Sequence, residues 1–155
     1  MTPILIPCLA AALVLLLLLA GIEDARTREI ANAKNLAIAL LAPLWWWALG
    51  LTPWDMGLQA LVALIVFALF VGAFALGQMG GGDVKMIGAL ALWLPPGAVL
   101  SMLLVMSIVG GAITLVFVID RRRRRSEAVP EIPYGVAIAI AGMLILANPI
   151  LTTLG

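Results

Sequence analysis

Residues 3–22, PILIPCLAAALVLLLLLAGI, run without a single charged side chain. A helix crossing the hydrocarbon of a bilayer needs about 20 such residues at 1.5 Å each, so this stretch alone commits the chain to lipid. No basic segment precedes it and no convincing cleavage site follows, which predicts a retained helix rather than a signal peptide. Further apolar segments lie at 35–51, ending near Trp45-Trp46-Trp47 as expected interfacial anchors, and at 57–79. Residues 84–119 are apolar throughout but contain Pro95-Pro96-Gly97, a strong turn signal. One helix over that stretch would be about 54 Å long, too long for one span. It divides into a short fourth helix, 84–94, and a full fifth, 97–119, with a sixth at 132–154. The expectation is an all-α integral membrane protein, a single transmembrane domain over 1–155 with six transmembrane helices.

The basic residues agree with six spans. Arg26, Arg28 and Lys34, then Lys85, then Arg121–Arg125 fall on the first, third and fifth loops, and they are all nine Lys and Arg of the chain. The positive-inside rule places those loops in the cytoplasm and both termini outside. The arginine pentad reads as a topology anchor with some affinity for anionic lipid. With eight acids against nine bases, nothing suggests nucleic acid as a partner.

What the chain lacks narrows its chemistry. It has no histidine and one cysteine, Cys8, which removes Ser-His and Cys-His catalysis, internal disulfides and nearly all zinc sites. Hydrolysis would then fall to carboxylates or, less readily, a Ser-Lys pair. Most acids sit among bases near the cytoplasmic face: Glu23, Glu29, Asp120, Glu127 and Glu131 are expected as solvated partners. Asp24 and Asp83 differ. Asp24 stands where the first span ends, and Asp83 follows Gly80-Gly81-Gly82 between two oily segments.

Aspartate as a plain helix N-cap would account for Asp83 but not for the three glycines. Residues without side chains let another backbone or side chain approach closely, and irregular backbone at membrane depth is tolerated where it is buried in protein or lines a wet cavity. Two carboxylates converging there cannot both ionise cheaply, so the pair keeps a proton. One can then activate a water while the other polarises a peptide carbonyl. The same carboxylates also fit a proton-coupled transporter, although the chain shows no internal repeat and both acids lie at one face. A non-catalytic scaffold is the third class open at this point.

Three segments carry a resemblance. DARTREIAN (24–32), GGGDVKMIGALALWLP (80–95) and EIPYGVAIAIAG (131–142) resemble, in order, the two aspartate motifs and the Pro-Tyr-Gly segment of type IV prepilin leader peptidases. The second holds the family's Gly-x-Gly-Asp as Gly80, Gly82 and Asp83. One departure is Ala31, where the family usually has proline. The resemblance implies an aspartyl endopeptidase with Asp24 and Asp83 as its catalytic pair and Gly80, Gly81 and Gly82 giving the substrate backbone access. It implies no cofactor and no metal. Prepilins and pseudopilins in the bilayer would be the substrates, cleaved at the cytoplasmic boundary of a bacterial inner membrane. Asn32 and Asn35 are expected to cap the second helix, Pro133 to sit in the first turn of the sixth, and Tyr134 to be an interfacial aromatic. The short chain, with no N-methyltransferase domain, looks like the minimal branch serving Flp-type tight-adherence pili.

Overall fold

Leucine and alanine, both strong helix formers, carry the first apolar run as one unbroken helix, α1 (Thr2–Thr27). In the computed structural model, which describes residues 2–124 and 133–148, five more helices follow. They are α2 (Asn32–Leu49), α3 (Pro53–Ala75), α4 (Gly81–Ala91), α5 (Pro96–Arg124) and α6 (Tyr134–Ala147). There is no strand among the described residues. The protein is an all-α membrane protein: α1, α3 and α5 contain stretches long and apolar enough to cross a bilayer, and α6 is a shorter apolar helix.

Helix ends depart from the sequence expectation for identifiable reasons. With no glycine or proline between residues 22 and 27, α1 runs on through Glu23, Asp24 and Arg26, so Asp24 is part of the helix rather than the residue after it. It stops where Arg28 turns left-handed (φ 59°) and returns its N–H to the carbonyl of Asp24, 3.0 Å away. α3 begins earlier than expected because Thr52, just before Pro53, forms a capping box with Asp55. α2 ends at Gly50, left-handed at φ 69°, as glycine at that position favours. α4 starts at Gly81 rather than residue 84, and α5 extends through four of the five arginines to Arg124. The expectations for Arg125, Glu127 and Glu131, and for the sixth helix beyond Asn148, lie outside the described residues.

α4 is the centre of the bundle. It packs against α2, α3 and α6, while α1 packs on α2 and α6 and α5 on α6. Eight of its eleven residues are buried, so it is enclosed on nearly every side. Close helix contact relies on missing side chains. A Cβ at Gly88 would meet the Phe67 ring at 2.8 Å, and one at Gly142 would meet Leu90 of α4 at 2.7 Å and Leu17 of α1 at 3.0 Å.

The tryptophans fix α4 against α2. Trp45 donates to the carbonyl of Trp93 (3.1 Å), Trp46 to that of Leu92 (2.7 Å), and Trp93 back to that of Ile38 (2.8 Å). The first two satisfy carbonyls just past the end of α4, where the helix has no partners of its own, and the third returns a donor to α2. Trp45 and Trp46 are therefore packing residues, which corrects the expectation of an interfacial trio; Trp47 alone is well exposed, at 64%. At the other end Asn35 donates to the carbonyl of Gly82 (3.0 Å), and Lys85 to Asn32 (2.8 Å). The pairs 35–82 and 46–92 show that α2 and α4 run in the same direction, in fixed register.

Candidate active site

One end of the bundle gathers the termini that carry the charged motifs. The last turn of α1 and the first turns of α2, α4 and α6 meet there, and Arg28 lies over the ring of Phe117 near the end of α5 at 5.4 Å. Between them is a cavity of about 210 Å³ lined by Asp24, Arg28, Glu29, Ile30, Asn32, the glycines 80–82 and Asp83. At ~30 Å³ per water, that is room for about seven waters, or for a peptide group and a water together.

The two aspartates named from the sequence share this cavity, and both are buried, at 4% and 8% exposure. Burying one carboxylate is costly, and burying two side by side is costlier, so the surroundings must offset that cost. For Asp24 they do so with the start of α6. Its Oδ2 accepts the N–H of Val136 at 3.2 Å, and the N–H of Gly135 donates to the same carboxylate. Pro133 is the N-cap of α6, one position before the expected first turn, and makes no side-chain cap. The Asp24 carboxylate supplies the missing acceptor from another helix, an anion at a helix N-terminus.

Gly135 makes that contact possible. A Cβ there would lie 2.9 Å from both Cγ and Oδ2 of Asp24 and 2.7 Å from Cδ1 of Ile30. The Pro-Tyr-Gly segment holds this glycine, but its role depends on how α6 meets α1, which sequence spacing does not reveal. Tyr134 packs its ring against Gly110 on α5.

Asp83 is not the N-cap of α4. Gly80 is, with extended backbone and no side chain to cap with, and Asp83 sits three residues on, reaching back to the N–H of Gly80. Its Oδ1 has no partner among the described residues, leaving one oxygen uncommitted. Gly81 and Gly82 are helical, so the irregular backbone is confined to the residues before them. A side chain at Gly82 would crowd Ile30, whose Cβ lies 3.2 Å and whose backbone N lies 3.4 Å from the added carbon. The glycine thus admits the protein's own α1–α2 loop beside Asp83.

Four further residues take places the sequence did not assign. Asn32 and Asn35 do not cap α2, whose N-cap Ala31 makes no side-chain bond; they reach across to α4 instead. Glu23 is not a loose solvated charge: its carboxylate accepts from Lys34 Nζ (2.7 Å) and from the N–H of Ala31 (2.9 Å), tying down the α1–α2 loop. Arg28, counted in the sequence only as a topological charge, lines the cavity, and its Nη1 is buried with no hydrogen-bond partner among the described residues.

Fold and site together define a helical membrane protein with a buried carboxylate pair at one end of its bundle. The chain belongs to the type IV leader peptidase family, whose family model matches residues 11–115, a stretch that includes both aspartates but not α6. No curated protein and no solved structure matches the chain.

Proposed function

We propose that the protein is an aspartic endopeptidase of the bacterial inner membrane that removes the cytoplasmic leader from Flp-type prepilins. The observation that carries this reading is the meeting of Asp24 and Asp83, from two separate helices, in one cavity. Asp24 is held by the N-terminal N–H groups of α6, while Asp83 keeps an oxygen unpartnered. The pair holds one proton between its two carboxyl groups, as closely placed buried carboxylates do. The ionised member takes a proton from a water, whose oxygen bonds to the scissile carbonyl carbon. The protonated member gives its proton to the carbonyl oxygen. Collapse of the resulting diol breaks the C–N bond. The carboxyl that took the water's proton gives it to the leaving nitrogen, and the other carboxylate takes back a proton from a diol hydroxyl, restoring the one-proton pair.

The test is to incubate the purified protein with a Flp-type prepilin and follow its mass. The expected result is loss of the leader alone, unaffected by chelators, serine-directed reagents or thiol blockers. An intact prepilin, or cleavage abolished by a chelator, would overturn the proposal.

A further inference from the structure

A second cavity lies along the bundle's side. α2 and α3 both pack on α4 but make almost no contact with each other. The gap between them is a groove of about 640 Å³, floored by Gly88 and Ala89 of α4 and walled by Leu36 and Ala39 of α2 and Ala60 and Leu64 of α3. At its charged end it reaches Asn32, Asn35 and Lys85. Asn32 also lines the cavity of the carboxylate pair, so the groove and the site adjoin.

One polar atom in this groove has no partner among the described residues. Asn35 is 4% exposed, and its Nδ2 is committed to the carbonyl of Gly82, which fixes the amide orientation. Its Oδ1 is then an acceptor, and it has no partner among the described residues. A buried acceptor without a donor is costly. A transmembrane helix that begins at this end brings what is missing, because its first four N–H groups have no partner of their own. The small residues of floor and walls would let its backbone come close. A lipid would fill the apolar walls, and its ethanolamine or glycerol headgroup also carries donors, so lipid is the competing occupant that the test must separate from a helix; the nearby cation, Lys85, already binds Asn32.

We propose that the groove between α2 and α3 is the docking site for the first turns of the substrate's own transmembrane helix, with Asn35 Oδ1 accepting one of its free N–H groups. This rests on the peptidase reading for the identity of the substrate. A helix seated there places the residues that precede it over Asp24 and Asp83. The chain is then cut at the point where its helix begins.

Photocrosslinking in membranes tests this. A photoreactive phenylalanine analogue is placed at Leu36 or Leu64 of the Asp83→Asn variant, and at Ile108 or Leu115 on α5 as controls, with full-length prepilin present. The expected result is capture of prepilin from both groove positions, mapping to the first turns of its helix, and at least tenfold less from the controls. Ala60→Phe, which fills the groove, should lower capture at Leu36 at least tenfold. Adducts to lipid only or to a second copy of this chain, or equal capture from α5, would overturn the proposal. Processing of prepilin by the unmodified protein is scored separately. Cleavage without groove capture sinks the groove alone, groove capture without cleavage sinks the peptidase reading alone, and the absence of both sinks both.

Discussion

Asp24 owes its position to a glycine more than a hundred residues away, as the pair Asp24–Val136 at a separation of 112 makes plain. Gly135→Ala would put a methyl group 2.9 Å from the Asp24 carboxylate and 2.7 Å from Ile30. Since both contacts are below van der Waals separation, the carboxylate must shift, and misplacements near 1 Å cost on the order of 10²-fold in rate. Gly135→Ala should therefore lower prepilin cleavage by about that factor while the protein still inserts. Gly72→Ala, with nothing within 4 Å of the new carbon, should leave cleavage unchanged. Equal rates for the two variants would show that Asp24 does not depend on α6. The aspartates themselves were legible in the sequence because a carboxylate among oily residues is expensive and has to be explained. Gly135, Asn35 and Arg28 were not, because each acquires its role from a neighbour on another helix.

Among the elements, α4 is the one on which the site depends. Its eleven residues would span only about 16 Å, too short to cross a bilayer, and it is held by neighbours rather than by lipid. Trp93 is its anchor, 1% exposed, bonded to Ile38 and lying 5.3 Å from the Trp45 ring. Trp93→Ala should destabilise the fold by about 3–5 kcal/mol, as truncation of buried aromatic residues does. Trp93→Phe, which keeps most of the volume and loses one hydrogen bond, should cost about 1 kcal/mol. Thermal unfolding in detergent checks the order; equal midpoints for the two variants would mean that α4 is not anchored there. Existence and order of all six helices followed from apolar run lengths and the Pro95-Pro96-Gly97 break. Their ends did not, because these are set by a left-handed arginine, a capping box and tryptophan–carbonyl bonds that hydropathy does not register.

At the scale of the whole molecule, the sequence grouped Arg26, Arg28, Lys34 and Lys85 on one side, and the fold brings their segments to one end. Lys85 binds Asn32, Lys34 binds Glu23, and Arg28 lies over Phe117. If that end is cytoplasmic, reporters fused after Lys34 or Arg125 should read as cytoplasmic and those after Leu51 or Gly155 as external. A cytoplasmic C-terminus would break the arrangement that puts the charged ends of the helices on one side.

If Asp24 and Asp83 act together on a peptide bond, prepilin processing in membranes, normalised to inserted protein, depends on both. Asp24→Asn and Asp83→Asn keep size and shape while removing the ionisable group, so each should abolish cleavage. The double variant should be no worse than either single, because the pair acts as a unit. Glu23→Gln is the control one residue away, bonded to Lys34 and Ala31 and absent from the cavity lining. It should cleave within a few-fold of the unmodified rate. Cleavage surviving in both aspartate variants, or lost in Glu23→Gln and kept in Asp24→Asn, would rule out Asp24 and Asp83 as the catalytic pair.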